Sequence, residues 1–177
     1  MLFRSKALRR RFDSVVIVPF GPDIPATLTR LKELKPRIVF NLTEWVDSDR
    51  TQDFAIAALL DMMKFKYTGT GPAGLQLARD KAGSKELVAA AGVDVPRHFT
   101  LLPGKTVVNP GLPYPLMIKP QFGDGSDEIG KHSLVLTLRE LKLRVKAIRA
   151  RLKEPVLCEE FIPGRDIYVG KIGRAHV

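Results

Sequence analysis

The sequence has one cysteine, Cys158, so no internal disulfide can close. That usage fits a reducing cytosol. No apolar run approaches the length of a membrane span. The basic N-terminal residues Arg4, Lys6, Arg9, Arg10 and Arg11 are not followed by an apolar segment, which argues against a signal peptide. Aromatic residues make up only 7% of the chain. Trp45, the tyrosines and the phenylalanines do not interleave with the basic runs, so there is no stacking platform for single-stranded nucleic acid. Acidic residues are in deficit, 19 against 29 lysines and arginines, for a net charge of +10. There are no internal repeats.

What remains is the composition of a soluble α/β protein. Hydrophobic residues make up 45% of 177, enough for one or two small domains with their own cores. Much of the positive excess sits in residues 4–11 and 139–153. The second segment interleaves Arg139, Lys142, Arg144, Lys146, Arg149, Arg151 and Lys153 with Leu138, Leu141, Val145, Ile148 and Leu152. Apolar spacings of three and four mark an amphipathic helix with a solvated basic face. An anionic partner such as nucleic acid is the competing reading of the charge.

Helices and strands alternate along the chain. Residues 2–12 read as a short helix. Residues 14–18 (Ser-Val-Val-Ile-Val) and 37–41 (Arg-Ile-Val-Phe-Asn) read as short buried strands, with a helix over 25–34 between them. A broad apolar helical face covers 53–63, and Gly69, Gly71 and Pro72 form a turn. This order predicts a parallel sheet in the first part of the chain. Residues 74–91 read as a helical region in two halves, with Asp80 capping the second and Gly92 ending it. Strands are expected at 116–119, 135–137 and 155–160, with the basic helix before the last.

Three pieces of the second part can carry chemistry. Lys119 ends an apolar strand and leads into a loop containing Gly123, Gly125, Ser126 and Gly130. Such a loop can bring backbone N–H groups to phosphate oxygens, and the lysine adds a point charge. Asp80-Lys81 heads a helix, with Lys85 one turn later. Glu159 and Glu160 end another apolar strand, and Asp166 follows a turn at Pro163-Gly164. These carboxylates can accept hydrogen bonds from ribose hydroxyls or an adenine amino group. Taken singly, each has a plainer alternative: a surface loop, a capped helix with exposed lysines, and an acidic hairpin at a sheet edge.

In order and spacing, the pieces resemble the ATP-grasp superfamily, and within it the D-alanine–D-alanine ligase branch. Asp80-Lys81, Gly92-Val93-Asp94-Val95-Pro96, Tyr114-Pro115-Leu116-Met117-Ile118-Lys119-Pro120 and Val156-Leu157-Cys158-Glu159-Glu160-Phe161-Ile162-Pro163-Gly164-Arg165-Asp166 carry the resemblance. Val39-Phe40-Asn41-Leu42-Thr43-Glu44 and Tyr67-Thr68-Gly69-Thr70-Gly71-Pro72 resemble that branch's N-terminal domain.

The resemblance implies an N-terminal parallel-sheet, Rossmann-like pre-ATP-grasp domain over 1–76 and a truncated α+β ATP-grasp subdomain over 77–170. It implies that Lys81 and Lys119 hold ATP phosphates, with Gly125 and Ser126 in the loop that closes over them. Glu159 would take the adenine amino group, with Glu160, Phe161 and Ile162 alongside the base. Asp166, where the ligases commonly carry Glu, would meet the ribose hydroxyls. Glu44 lies in the motif near the first amino-acid site.

The implied reaction joins a carboxylate to an amine through an acyl phosphate, using ATP and Mg²⁺. The parent enzyme would be cytoplasmic and dimeric, and this piece inactive. The resemblance also places the family's first strand before Met1, and its metal-binding acids beyond the C-terminus. Residues 172–177 (Ile-Gly-Arg-Ala-His-Val) resemble the translation of a common sequencing adapter, so 171–177 are expected to be a non-native tail. The rival readings are an ATP-grasp ligase for another acid and amine, and a basic nucleic-acid-binding α/β protein.

Overall fold

The computed structural model describes residues 2–44, 46, 49, 52–122 and 129–169. The chain divides into two compact units, Met1–Asp80 and Lys81–Val177.

The first unit is mainly helical. Helix α1 spans Leu2–Arg9 and α2 spans Ile24–Leu34. Asp23 caps α2, its Oδ1 accepting from the Ala26 amide at 2.9 Å, and Pro25 sits in the first turn where its missing N–H costs nothing. Lys35 stops the helix in a left-handed conformation, φ 45°. Helix α3, Asp53–Met62, and helix α4, Pro72–Arg79, follow. The core gathers Leu31, Ile56 and Leu60, with Val18, Phe20, Val39, Phe65 and Tyr67 packed against them.

Of the expected parallel sheet, the described residues show one parallel bridge, Val39 to Tyr67. The Val39 amide donates to Lys66 O at 2.7 Å and the Thr68 amide to Val39 O at 3.0 Å. Residues 14–18, read as a strand, form no strand ladder here. Val16 and Ile17 stand exposed, so apolar content alone does not make a strand without a hydrogen-bonded neighbour.

The second unit opens with α5, Lys81–Ala90, which ends before Gly92 at φ 81°. Strands β1 (His98–Leu101), β2 (Leu116–Pro120), β3 (Leu134–Val135) and β4 (Val156–Glu160) form one sheet in the order β1-β4-β2-β3. All pairings are antiparallel. Helix α6, Leu138–Arg151, precedes β4 and starts at Thr137, whose Oγ1 accepts from the Glu140 amide at 3.2 Å.

Register divides this sheet into two faces. Ile118 pairs with Cys158 and Pro120 with Val156. The side chains of Ile118, Val156 and Cys158 join Leu101, Leu116 and Val135 against Leu141, Val145 and Ile148 of α6, forming the fully buried core. The stripe expected in 138–152 is thus the buried stripe of α6. Arg139, Lys142, Lys146, Arg151 and Lys153 stand exposed, as a solvated face requires. Arg149 does not: its guanidinium donates to Lys105 O at 2.8 Å and Leu102 O at 2.6 Å, tying the helix to the turn after β1.

Candidate functional site

Side chains alternate across a strand, so Met117, Lys119, Leu157 and Glu159 share the face opposite α6. Met117 pairs with Glu159 and Lys119 with Leu157, which makes Lys119 and Glu159 diagonal neighbours within reach of long side chains. The two are joined as an ion pair through Glu159 Oε1. A second lysine arrives from α5: Lys85 Nζ lies 2.8 Å from Glu159 Oε2. The Glu159 side chain is only 8% exposed, against 16% for Lys85 and 17% for Lys119.

A carboxylate this buried costs several kcal/mol unless it is compensated. One ammonium supplies the compensation. The second leaves the cluster with an excess positive charge at the end of β2, where the sequence runs on into its Gly-rich stretch. That excess is what an anionic ligand requires.

Lys81 heads α5. Its amide donates to Gln121 O at 3.1 Å, and its Nζ reaches the same carbonyl at 3.5 Å. Gln121 is anchored in turn by its own amide, which donates to Pro155 O at 3.0 Å. The structure therefore gathers Lys81, Lys85, Lys119 and Glu159 around the ends of α5, β2 and β4.

Glu160 is turned to other work. It meets Arg97 Nε at 2.8 Å, and its amide donates to Arg97 O. The hydrogen bond from Arg97 is the main reason its carboxyl titrates below the usual glutamate range. Phe161 donates its amide to Pro115 O at 3.1 Å. Phe161, Ile162 and Asp166 lie in exposed chain after β4, with no further strand in 161–169. Glu44 is exposed in the first unit, just after an Asx turn in which Asn41 Oδ1 accepts from the Thr43 amide at 3.1 Å. Gly125 and Ser126 lie outside the described residues.

Besides the meeting of Lys119 with Glu159, the ion pairs of Lys85 with Glu159, Arg97 with Glu160 and Arg79 with Asp53 escaped the sequence pattern. Lys85 carried a signal, since it follows Lys81 by one helical turn and shares its face. Arg97–Glu160 and Arg79–Asp53 carried none, because their partners are far apart in sequence. Arg79 and Asp53 form a buried two-pronged pair within the first unit, Nε to Oδ1 and Nη2 to Oδ2, both at 2.8 Å. Among the described residues no group of three or more His, Cys, Asp or Glu could hold a metal.

No family model matches the chain. Over 168 residues, 95% of this chain, it is 32% identical to the D-alanine–D-alanine ligase of Gluconobacter oxydans (strain 621H), and it covers 53% of that protein. It is 30% identical over 174 residues to the D-alanine–D-alanine ligase of Geobacter sulfurreducens, with 93% of this chain and 50% of that one covered. Among solved structures, the D-alanine–D-alanine ligase of Bacillus anthracis complexed with ATP superposes with a TM-score of 0.65. It is 19% identical and covers 84% of this chain and 48% of its own.

The antiparallel sheet and its helices match the fold of ATP-grasp ligase structures. In sequence, most of the chain is similar to D-alanine–D-alanine ligases. It spans about half the length of the curated relatives it matches.

Proposed function

We propose that this chain is the nucleotide-holding front part of an ATP-dependent carboxylate–amine ligase that forms a D-alanyl-D-alanine-like bond. The observation that carries the reading is the cluster at the end of β2, with two ammonium groups on one buried carboxylate. Its excess positive charge sits next to a glycine-rich stretch of sequence.

In this reading Lys119 and Lys81 hold ATP phosphates, and Gly125 and Ser126 close over them. Glu159 and the segment through Ile162 face the adenine, and Asp166 faces the ribose. Glu44 belongs to the amino-acid side of the reaction. The γ-phosphoryl group passes to a substrate carboxylate oxygen as ADP departs. The amine nitrogen of the second substrate then attacks the acyl carbon, inorganic phosphate leaves, and the amine proton passes to solvent or a base. The lysines act by stabilising the charge that builds on the transferring phosphoryl oxygens. By itself this chain binds nucleotide without turning it over.

The test is to recover the continuous gene from the source DNA and assay its product with ATP and D-alanine. Equal release of ADP and phosphate with dipeptide formation is the expected result. Release with a different amino acid alone would move the substrate assignment. A product that consumes no ATP with any amino acid would overturn the ligase reading.

A further inference from the structure

Two lysines on one carboxylate are more than charge balance requires, and the two are not equivalent. Lys119 stands on β2, just before the Gly-rich stretch of the sequence. Lys85 stands on α5 and has a second acceptor, the Lys81 carbonyl oxygen at 3.4 Å. We propose that Lys85 is a positioning residue for nucleotide capture: it keeps the buried Glu159 carboxylate compensated and in place while a polyphosphate draws Lys119 away.

The proposal rests on the nucleotide reading above. Glu159 is too buried to be left without a cation. If Lys119 were its only partner, every polyphosphate that engaged Lys119 would strand the carboxylate, and binding would be opposed by that amount. With Lys85 at 2.8 Å on the other oxygen, Lys119 can leave without stranding it. Lys85 touches no ligand in this scheme. It acts through Glu159, so it also bears on the adenine contact, but the part of its effect that comes from releasing Lys119 grows with the phosphate charge of the ligand.

The experiment is an NMR titration of this chain carrying ¹³C-labelled lysine, with adenosine, AMP and ATP as separate probes at up to millimolar concentration. In the wild type, the Lys119 side-chain resonance is expected to move with ATP and not with adenosine. Lys85→Met is expected to weaken ATP by about tenfold, within the usual range of coupling between sites, while changing adenosine much less. Lys85→Arg, which keeps the charge, is expected to restore ATP binding. Lys85→Gln provides the same comparison if the methionine variant does not fold.

Unchanged ATP affinity in the Met and Gln variants would overturn the proposal. So would an equal loss for adenosine and ATP, which marks a purely structural lysine, and so would an Arg variant as weak as Met. A wild-type chain that binds no ATP overturns the nucleotide reading and this inference together. A wild type that binds, with variants that bind equally well, overturns this inference alone.

Discussion

Lys85 and Glu159 meet at 2.8 Å, one on a helix and the other on an inner strand of the sheet. With Lys119 on the other carboxylate oxygen, they turn one face of a small antiparallel sheet into a cationic site. The opposite face packs its apolar side chains on α6. Core and site thus use alternate residues of the same two strands.

Removing the carboxylate tests that arrangement directly. Glu159→Ala leaves two ammonium groups facing each other in a partly buried position. It is expected to destabilise the chain by about 3 kcal/mol, as breaking a buried pair from one side does. Urea unfolding followed by circular dichroism measures it.

Arg79 and Asp53 provide a parallel test in the first unit. Their side chains are 9% and 12% exposed, and both prongs of the pair are satisfied. Arg79→Met is expected to cost about 3–5 kcal/mol, because it strands the Asp53 carboxylate. A double-mutant cycle with Asp53→Asn should show strong coupling.

Leu141, Val145 and Ile148 fill the apolar face of the sheet without solvent exposure. Leu141→Ala is expected to cost about 3 kcal/mol through lost burial and the cavity left behind. Leu143→Ala, at an exposed position on the same helix, should change stability little. Denaturant midpoints compare the two.

Cys158 is sealed in that core. Burial pushes its thiol up to about 12, against a smaller opposing effect of the Arg149 charge. The native chain is therefore expected to resist alkylation at pH 8, and to react only when it unfolds. As the chain's single cysteine, it makes the labelling rate a direct measure of opening.

Acid stability should depend on Arg97. Its hydrogen bond holds the Glu160 carboxyl below the usual range in the folded chain. The contribution of this pair is present above the unfolded value and is lost as pH falls through the lower folded value. Arg97→Gln is expected to flatten that acid limb and to leave the neutral-to-alkaline pH dependence unchanged. Thermal melts across pH resolve the two ranges.

The second unit was more legible in the sequence than the first. The spacing of Leu141, Val145 and Ile148 identifies α6, and the apolar runs ending at Lys119 and Glu160 identify β2 and β4. Strand β1 escaped because its short sequence is only half apolar, and its ladder forms with β4, whose Glu159 lies 61 residues beyond His98. In the first unit, the apolar run at 14–18 suggested a strand that forms no ladder here, since a strand needs a partner as well as a composition. At the site, Lys119 and Glu159 could be named from their motifs. Their meeting could not, because it depends on register: a slip of one residue would send one of them into the core.

The most direct measurement of the central claim is equilibrium dialysis of this chain against labelled ATP, compared with Lys119→Met. The account predicts that the wild type binds ATP, that inorganic tripolyphosphate competes for the site, and that Lys119→Met loses about tenfold or more in affinity while keeping its fold. Equal ATP binding by the variant, or no ATP binding by the folded wild type, would contradict it.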